Sequence, residues 1–147
     1  MGCDIHGPWI EYQEFEPTDI KPDRMWWPVA KLQLGQRNYA IFGLLAGVRG
    51  GTALVEPRGY PRHIGFELRE HIENQGDYCH SASWLTLPEM VAVRKAWRQQ
   101  IDDCNAMDKG SAEQDYPGSF LNLAISIMKF VEKKTGRSTR AVFCFDN

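Results

Sequence analysis

The residues best suited to chemistry stand at the start of the chain, in Met1-Gly2-Cys3-Asp4-Ile5-His6. Asp4 and His6 are two apart, so on a strand their side chains leave the same face, roughly 7 Å apart at the Cα level. A carboxylate and an imidazole so placed could share one metal ion, or act as a base and the group that orients it. A hydrogen-bonded structural pair fits the same spacing, because buried polar groups are normally paired. Cys3 falls on the opposite face of a regular strand and is expected to be a small core residue. Near the other end, Arg140, Val142, Cys144 and Asp146 alternate onto one face of a strand. If the two terminal strands pair antiparallel, Asp146 approaches Asp4 and His6.

Further polar candidates lie between. His80 opens the run His80-Ser81-Ala82-Ser83-Trp84, in which the hydroxyls of Ser81 and Ser83 could cap a turn or bind phosphate oxygens. Arg37, Arg49, Arg58 and Arg62 flank or occupy segments rich in Gly and Pro. A guanidinium fork suits phosphate or carboxylate, and Gly50-Gly51 and Gly59 let a backbone come close to a ligand. Structural ion pairs account for any one of these arginines equally well. His63 has less in its favour, and His71, in a charged segment, is expected to be exposed. No P-loop, dinucleotide fingerprint, nucleophile elbow, His-Glu-x-x-His helix or zinc-deaminase pattern is present.

The elements that must position these groups can be read from periodicity. Asp4 to Phe15 alternates as a strand, with Ile10 and Tyr12 on one side and Trp9, Glu11 and Gln13 on the other. Pro8 marks an edge or a bulge. Pro17 to Arg24 reads as a turn, and Met25 to Val29 as a second strand in a hairpin with the first. Trp26 and Trp27 then face opposite ways, leaving one exposed. Asn38 to Gly47 reads as a short helix capped by Asn38 and stopped by Gly47. A Gly/Pro/Arg loop runs from Gly50 to Arg62, and Gly65 to Asn74 forms a short helix. Thr86 and Glu89 have capping-box spacing with Pro88 in the first turn, opening a helix to about Asn105 that buries Met90, Val93, Trp97, Ile101 and Cys104. A second helix from about Gly118 to Thr135 buries Phe120, Leu123, Ala124, Ile127 and Val131. Asp102 to Asp115 connects the two. Ser138 to Asp146, apolar at its centre, suits a strand buried on both faces. The expected fold is one α+β domain over residues 1–147, a mixed or antiparallel sheet with both terminal strands and about three to four helices.

Composition narrows the setting. The 147 residues carry a net charge of −2, which speaks against an extended nucleic-acid surface. No apolar run of membrane-spanning length and no signal-peptide pattern occurs, so a cytoplasmic protein is expected. Gly2 does not signal myristoylation, because His6 stands where that motif needs Ser or Thr. The four cysteines Cys3, Cys79, Cys104 and Cys144 form no C-x-x-C pair and are expected to be reduced thiols.

Four islands of the chain together resemble a known family. They are Met1 to His6, the run Arg37-Asn38-Tyr39-Ala40-Ile41-Phe42-Gly43-Leu44-Leu45-Ala46-Gly47-Val48-Arg49, His80 to Thr86, and the closing Phe145-Asp146-Asn147. This set is similar to a family of small uncharacterised proteins carried by bacteriophages and prophages, and Pro57 to Pro61 also resembles a family element. Ala82 stands where some relatives carry a second histidine. The opening Asp-x-His is also similar to that of calcineurin-like metallophosphoesterases, but the rest of that pattern is missing and the chain is too short for that fold.

Three functions follow as expectations. The first is a pocket built from Asp4, His6, Arg37, Asn38, Arg58, His80, Ser81 and Ser83 for a phosphate-bearing small molecule, a nucleotide. Arg37 and Arg58 would hold phosphate and a Trp or Tyr would stack on the base. The resemblance implies a phage setting, where such a protein could counter host defence. The second is a hydrolase with a divalent metal on Asp4, His6, His80 and Asp146, where the ion activates a water. The third is a non-enzymatic protein that blocks a host protein through an exposed aromatic patch, which could equally form a homo-oligomer.

Overall fold

The two ends of the chain, Asp4–Gln13 (β1) and Thr139–Asp146 (β4), lie side by side at the centre of a four-stranded antiparallel sheet. The structure is a computed structural model and describes residues 2–14, 26–32, 37–106 and 119–146. Trp26–Lys31 (β2) forms the outer strand beside β1, and His80–Thr86 (β3) the outer strand beside β4, giving the order β2-β1-β4-β3. The helices are Tyr39–Ala46 (α1), Phe66–Gln75 (α2), Leu87–Ala106 (α3) and Phe120–Thr135 (α4), with a short 3₁₀ turn at Val48–Gly50. This is the α+β domain that the periodicity predicts, and β4 is buried along nearly its whole length.

The helix ends follow the expected chemistry. The Asn38 side chain accepts a bond from the Ile41 amide, and Gly47 closes α1 in the left-handed region at φ 70°. Thr86 and Glu89 exchange the two bonds of a capping box, Thr86 N to Glu89 Oε2 and Glu89 N to Thr86 Oγ1. Ser119 caps α4 and Gly136 ends it.

The sheet carries apolar residues on both faces. One face packs against α1, α3 and α4 through Ile10, Ala141, Phe143 and Phe145, which meet Phe42, Met90, Trp97 and Leu121. The other face carries Trp9, Val142 and Trp84, covered by Leu68 and Ile72 of α2 and by Tyr60 and Ile64 of the preceding loop. Among the described residues, no helix is long and apolar enough to cross a membrane.

Three expectations need correction or limits. His80 to Thr86 is a strand rather than a polar lead-in, because its Ser and His residues sit at a sheet margin and only Ser83 and Leu85 are fully buried. The buried face of α4 is wider than the expected stripe: Leu121, Ile125 and Met128 are buried and Leu123 is exposed, since the helix is wedged between the sheet and α3. The turn at Pro17 to Arg24 and most of the connection from Asp102 to Asp115 lie outside the described residues.

Candidate functional site

β1 contains one irregularity, and it decides where the N-terminal side chains point. His6 pairs with Cys144 and Trp9 with Val142, so one extra residue sits in β1 at Gly7–Pro8, where Gly7 has φ 95° and the peptide to Pro8 is cis. A bulge of one residue reverses the alternation beyond it. Asp4 and His6 therefore share a face with Trp9 and Glu11 rather than opposing them. Opposite them on β4 stand Asp146 and Cys144.

Four of the sequence candidates meet at this corner. His6 Nε2 donates to Asp146 Oδ2 at 2.7 Å, and the Asp4 amide donates to Asp146 Oδ1 at 3.3 Å. Arg37 grips Asp4 with its fork, Nε to Oδ1 at 2.5 Å and an Nη to Oδ2 at 2.9 Å. Two carboxylates are thus met by one guanidinium and one imidazole. The hydrogen bonds from Arg37 hold the Asp4 carboxyl below its usual range. Gly2 leaves room for this grip, because a Cβ at that position would push the end of the Arg37 side chain aside. Cys3 is buried in the helical-side core as expected, its amide donates to the Tyr39 hydroxyl at 3.4 Å, and burial pushes its thiol up.

The remaining candidates are elsewhere. His80 pairs with Phe145 and rests near that ring, so it lies on the helical side of the sheet while Asp146 lies on the other. Its Nδ1 meets the Ser81 hydroxyl at 3.0 Å. The expected quartet of Asp4, His6, His80 and Asp146 is therefore split between faces. Among the described residues no three His, Cys, Asp or Glu side chains are grouped as a metal ion would require. Asn38 is a helix cap. Arg58 sits along the outer strand β3: its amide donates to Ser83 Oγ, and its guanidinium reaches Glu89 at 2.7 Å and the Trp84 carbonyl at 3.1 Å while lying over the Trp84 ring. Together with the bond from Gly59 N to Ala82 O, this segment covers the open edge of β3.

Other functional-looking features escaped the sequence reading. Glu11 and Arg140, paired across β1 and β4, form a buried ion pair at 3.0 Å; Glu11 also accepts from the Gly65 amide. Arg140 further donates to the His63 carbonyl and lies under Trp26. Burial pushes its guanidinium down, and the Glu11 charge opposes that shift. Alternation already placed Glu11 and Arg140 on strands; only the register was missing. His71 is half-buried rather than exposed, because α2 lays it against Trp9 with ring centroids 4.6 Å apart and beside His6 at 5.9 Å. Its Nε2 is buried without a hydrogen-bond partner among the described residues. Burial lowers its pKa, helped by the charges of Lys31 and His6. Nor are all four cysteines reduced thiols: Cys79 and Cys144 are joined as a disulfide across 65 residues, their Cα atoms 5.7 Å apart, while Cys3 and Cys104 are free. Sequence spacing carries no sign of this pairing, which arises only when β3 and β4 align.

A cavity of about 310 Å³ opens on the helical side, where α1, the Val48–Gly50 turn and α3 meet. Its lining includes Tyr39, Arg49, Thr52 and Gln100, together with Gly43 and Gly51, which pack against each other. Arg49 has φ 56° and its guanidinium lies over the Tyr39 ring at 5.0 Å. Tyr39 also bonds the Cys3 amide, so this cavity adjoins the Asp4–Arg37 corner through one residue. The chain matches no protein-family model, no curated protein and no solved structure.

Proposed function

We propose that the cavity beside the N-terminal corner binds a phosphate-bearing small molecule of the nucleotide type. The observation that carries this reading is the charge of its lining: among the nine described residues that line it, Arg49 alone is charged, and it is a cation. A volume of about 310 Å³ lies at the small end of the range for ligand sites. The Arg49 guanidinium lies over the Tyr39 ring at 5.0 Å, which sets this cation at the cavity wall. Thr52 and Gln100 supply neutral hydrogen-bonding groups, and Tyr39, partly exposed, offers a ring for a base. Gly50, with open space where a Cβ would stand, lets a ligand approach the backbone.

This reading moves the phosphate contact to Arg49, which stands in the cavity wall, from Arg37 and Arg58, which do not line it. The test is a thermal-shift panel of nucleoside mono-, di- and triphosphates, nucleosides and inorganic phosphate. At a hundredfold excess over Kd, binding adds about 2.7 kcal/mol to stability. For a chain of this size that raises Tm by roughly 5–10 °C. Arg49→Ala should remove the shift without unfolding the protein. No shift with any member of the panel at millimolar concentration rejects the proposal.

A further inference from the structure

The Cys79–Cys144 bridge stands apart from the proposed ligand cavity, on the other side of the sheet. The two sulfurs differ in access. Cys144 is fully buried in β4, whereas Cys79 is only partly buried and follows Gly76 and Tyr78, both exposed. The backbone on the Cys79 side is also held in an unfavourable state. Two residues on, Ser81 adopts φ 52°, the left-handed region that disfavours a residue with a Cβ. The β3–β4 register slips over the same stretch, between His80 and Ser83. Such a conformation persists only where neighbouring contacts fix it. Here the contacts are the bridge at Cys79, the bond between His80 Nδ1 and Ser81 Oγ, and the bonds that Gly59 N and Arg58 N donate to Ala82 O and Ser83 Oγ.

We propose that Cys79 and Cys144 form a reversible thiol–disulfide exchange site for small thiols and dithiols, with attack at Cys79. A dithiol's first thiolate bonds to Cys79 Sγ. The Sγ–Sγ bond breaks, and its electron pair leaves on Cys144 Sγ, which takes up a proton given up by the reductant. The dithiol's second thiolate then attacks its own sulfur in the mixed disulfide and closes a ring. Cys79 leaves as a thiolate and takes up the second proton. The protein gains two electrons and two protons, and the dithiol becomes a cyclic disulfide. Reduction removes the covalent tether at Cys79 while His80 and Ser83 stay paired with β4, so Ser81, between them, gains the freedom to leave the left-handed region. Cys144 stays in the sheet between His6 and the strand β3, and the His6–Asp146 pair persists.

The test uses the full chain, folded throughout. Protein is equilibrated in dithiothreitol buffers of graded oxidised-to-reduced ratio and quenched with an alkylating agent in denaturant, and the attached groups are counted by mass. Two should be present in the oxidised state, on Cys3 and Cys104, and four in the reduced state, with the same midpoint from either direction. Exchange in native buffer should not require global unfolding. A bridge that opens only at denaturing urea concentrations is a structural staple and overturns the proposal, and so does a chain that keeps four thiols under oxidised dithiothreitol. The site of attack is read on the reduced native protein with limiting iodoacetamide, and peptide mapping should find Cys79 modified at least about tenfold faster than Cys144, as access dictates. Equal rates, or faster modification of Cys144, refute attack at Cys79. Ser81→Gly gives a second readout, because it removes the left-handed penalty. Hydrogen exchange over residues 79–83 should rise on reduction in the wild type and change less in the variant, and no rise in the wild type counts against the tether.

Discussion

Replacing Glu11 should be among the most damaging single changes outside the apolar core. The carboxylate is fully buried and its partner Arg140 is 5% exposed, so neither charge has water to fall back on. Glu11 Oε1 accepts from Arg140 Nε, and Oε2 accepts from the Gly65 amide. Glu11→Ala leaves the guanidinium with the His63 carbonyl and the Trp26 ring but no counter-charge, and strips the Gly65 amide of its acceptor. Breaking one half of a buried ion pair destabilises by about 3–5 kcal/mol. The parts bracket that range at about 2.5–6 kcal/mol: a charge-assisted hydrogen bond contributes about 1.5–3 kcal/mol, and an orphaned buried amide costs about 1–3 kcal/mol. In a domain of this length that lowers Tm by roughly 6–20 °C. Glu11→Gln keeps an acceptor for Gly65 and removes only the charge, so its loss should be smaller. Urea denaturation checks both, with the midpoint shifted and the m-value unchanged. The double variant Glu11→Leu with Arg140→Met should recover most of the loss, because the pair's attraction is offset by the desolvation of both ions. A loss below about 1 kcal/mol for Glu11→Ala, well under the range for a buried pair, would refute this account.

Two further outcomes follow from the geometry. The folded state depresses the His71 pKa, so the unfolded chain binds the proton more tightly; stability should fall as pH drops through about 6.5 and level off below the folded value. His71→Phe should flatten Tm against pH between about 7.5 and 5 relative to the wild type, where an ordinary histidine titrates, and an unchanged slope would mean that His71 does not carry it. Gly51→Ala should destabilise by about 1–3 kcal/mol, the range for overpacking, because the added methyl collides with the Gly43 backbone although φ −76° suits alanine. Chemical denaturation measures it, and a variant as stable as the wild type would show that the Gly43–Gly51 contact can open.

Most of the fold was legible because it is written in local patterns. The Asn38 and Gly47 caps, the Thr86–Glu89 box and the apolar centre of β4 each announce an element within a few residues. What the sequence could not supply was register, and each success or failure at the site turns on it. The expected approach of Asp146 to Asp4 and His6 holds because both termini happen to pair in the frame that sets those three on one face. His80 misses that face by one position, since it pairs with Phe145 instead of Asp146. A one-residue difference in strand pairing moves a side chain from one side of a sheet to the other. The same logic hid Glu11 opposite Arg140 and Cys79 beside Cys144. Plain alternation along β1 places Asp4 and His6 with Ile10, on the helical side. One extra residue puts them instead with Trp9 and Glu11, on the face where α2 packs. The polar corner thus owes its location to Gly7, whose φ of 95° no other residue adopts readily, and where a Cβ would meet the Trp9 ring and the Val142 carbonyl. Any substitution there should disturb Asp4, His6 and Asp146 together, although Gly7 carries no chemistry of its own.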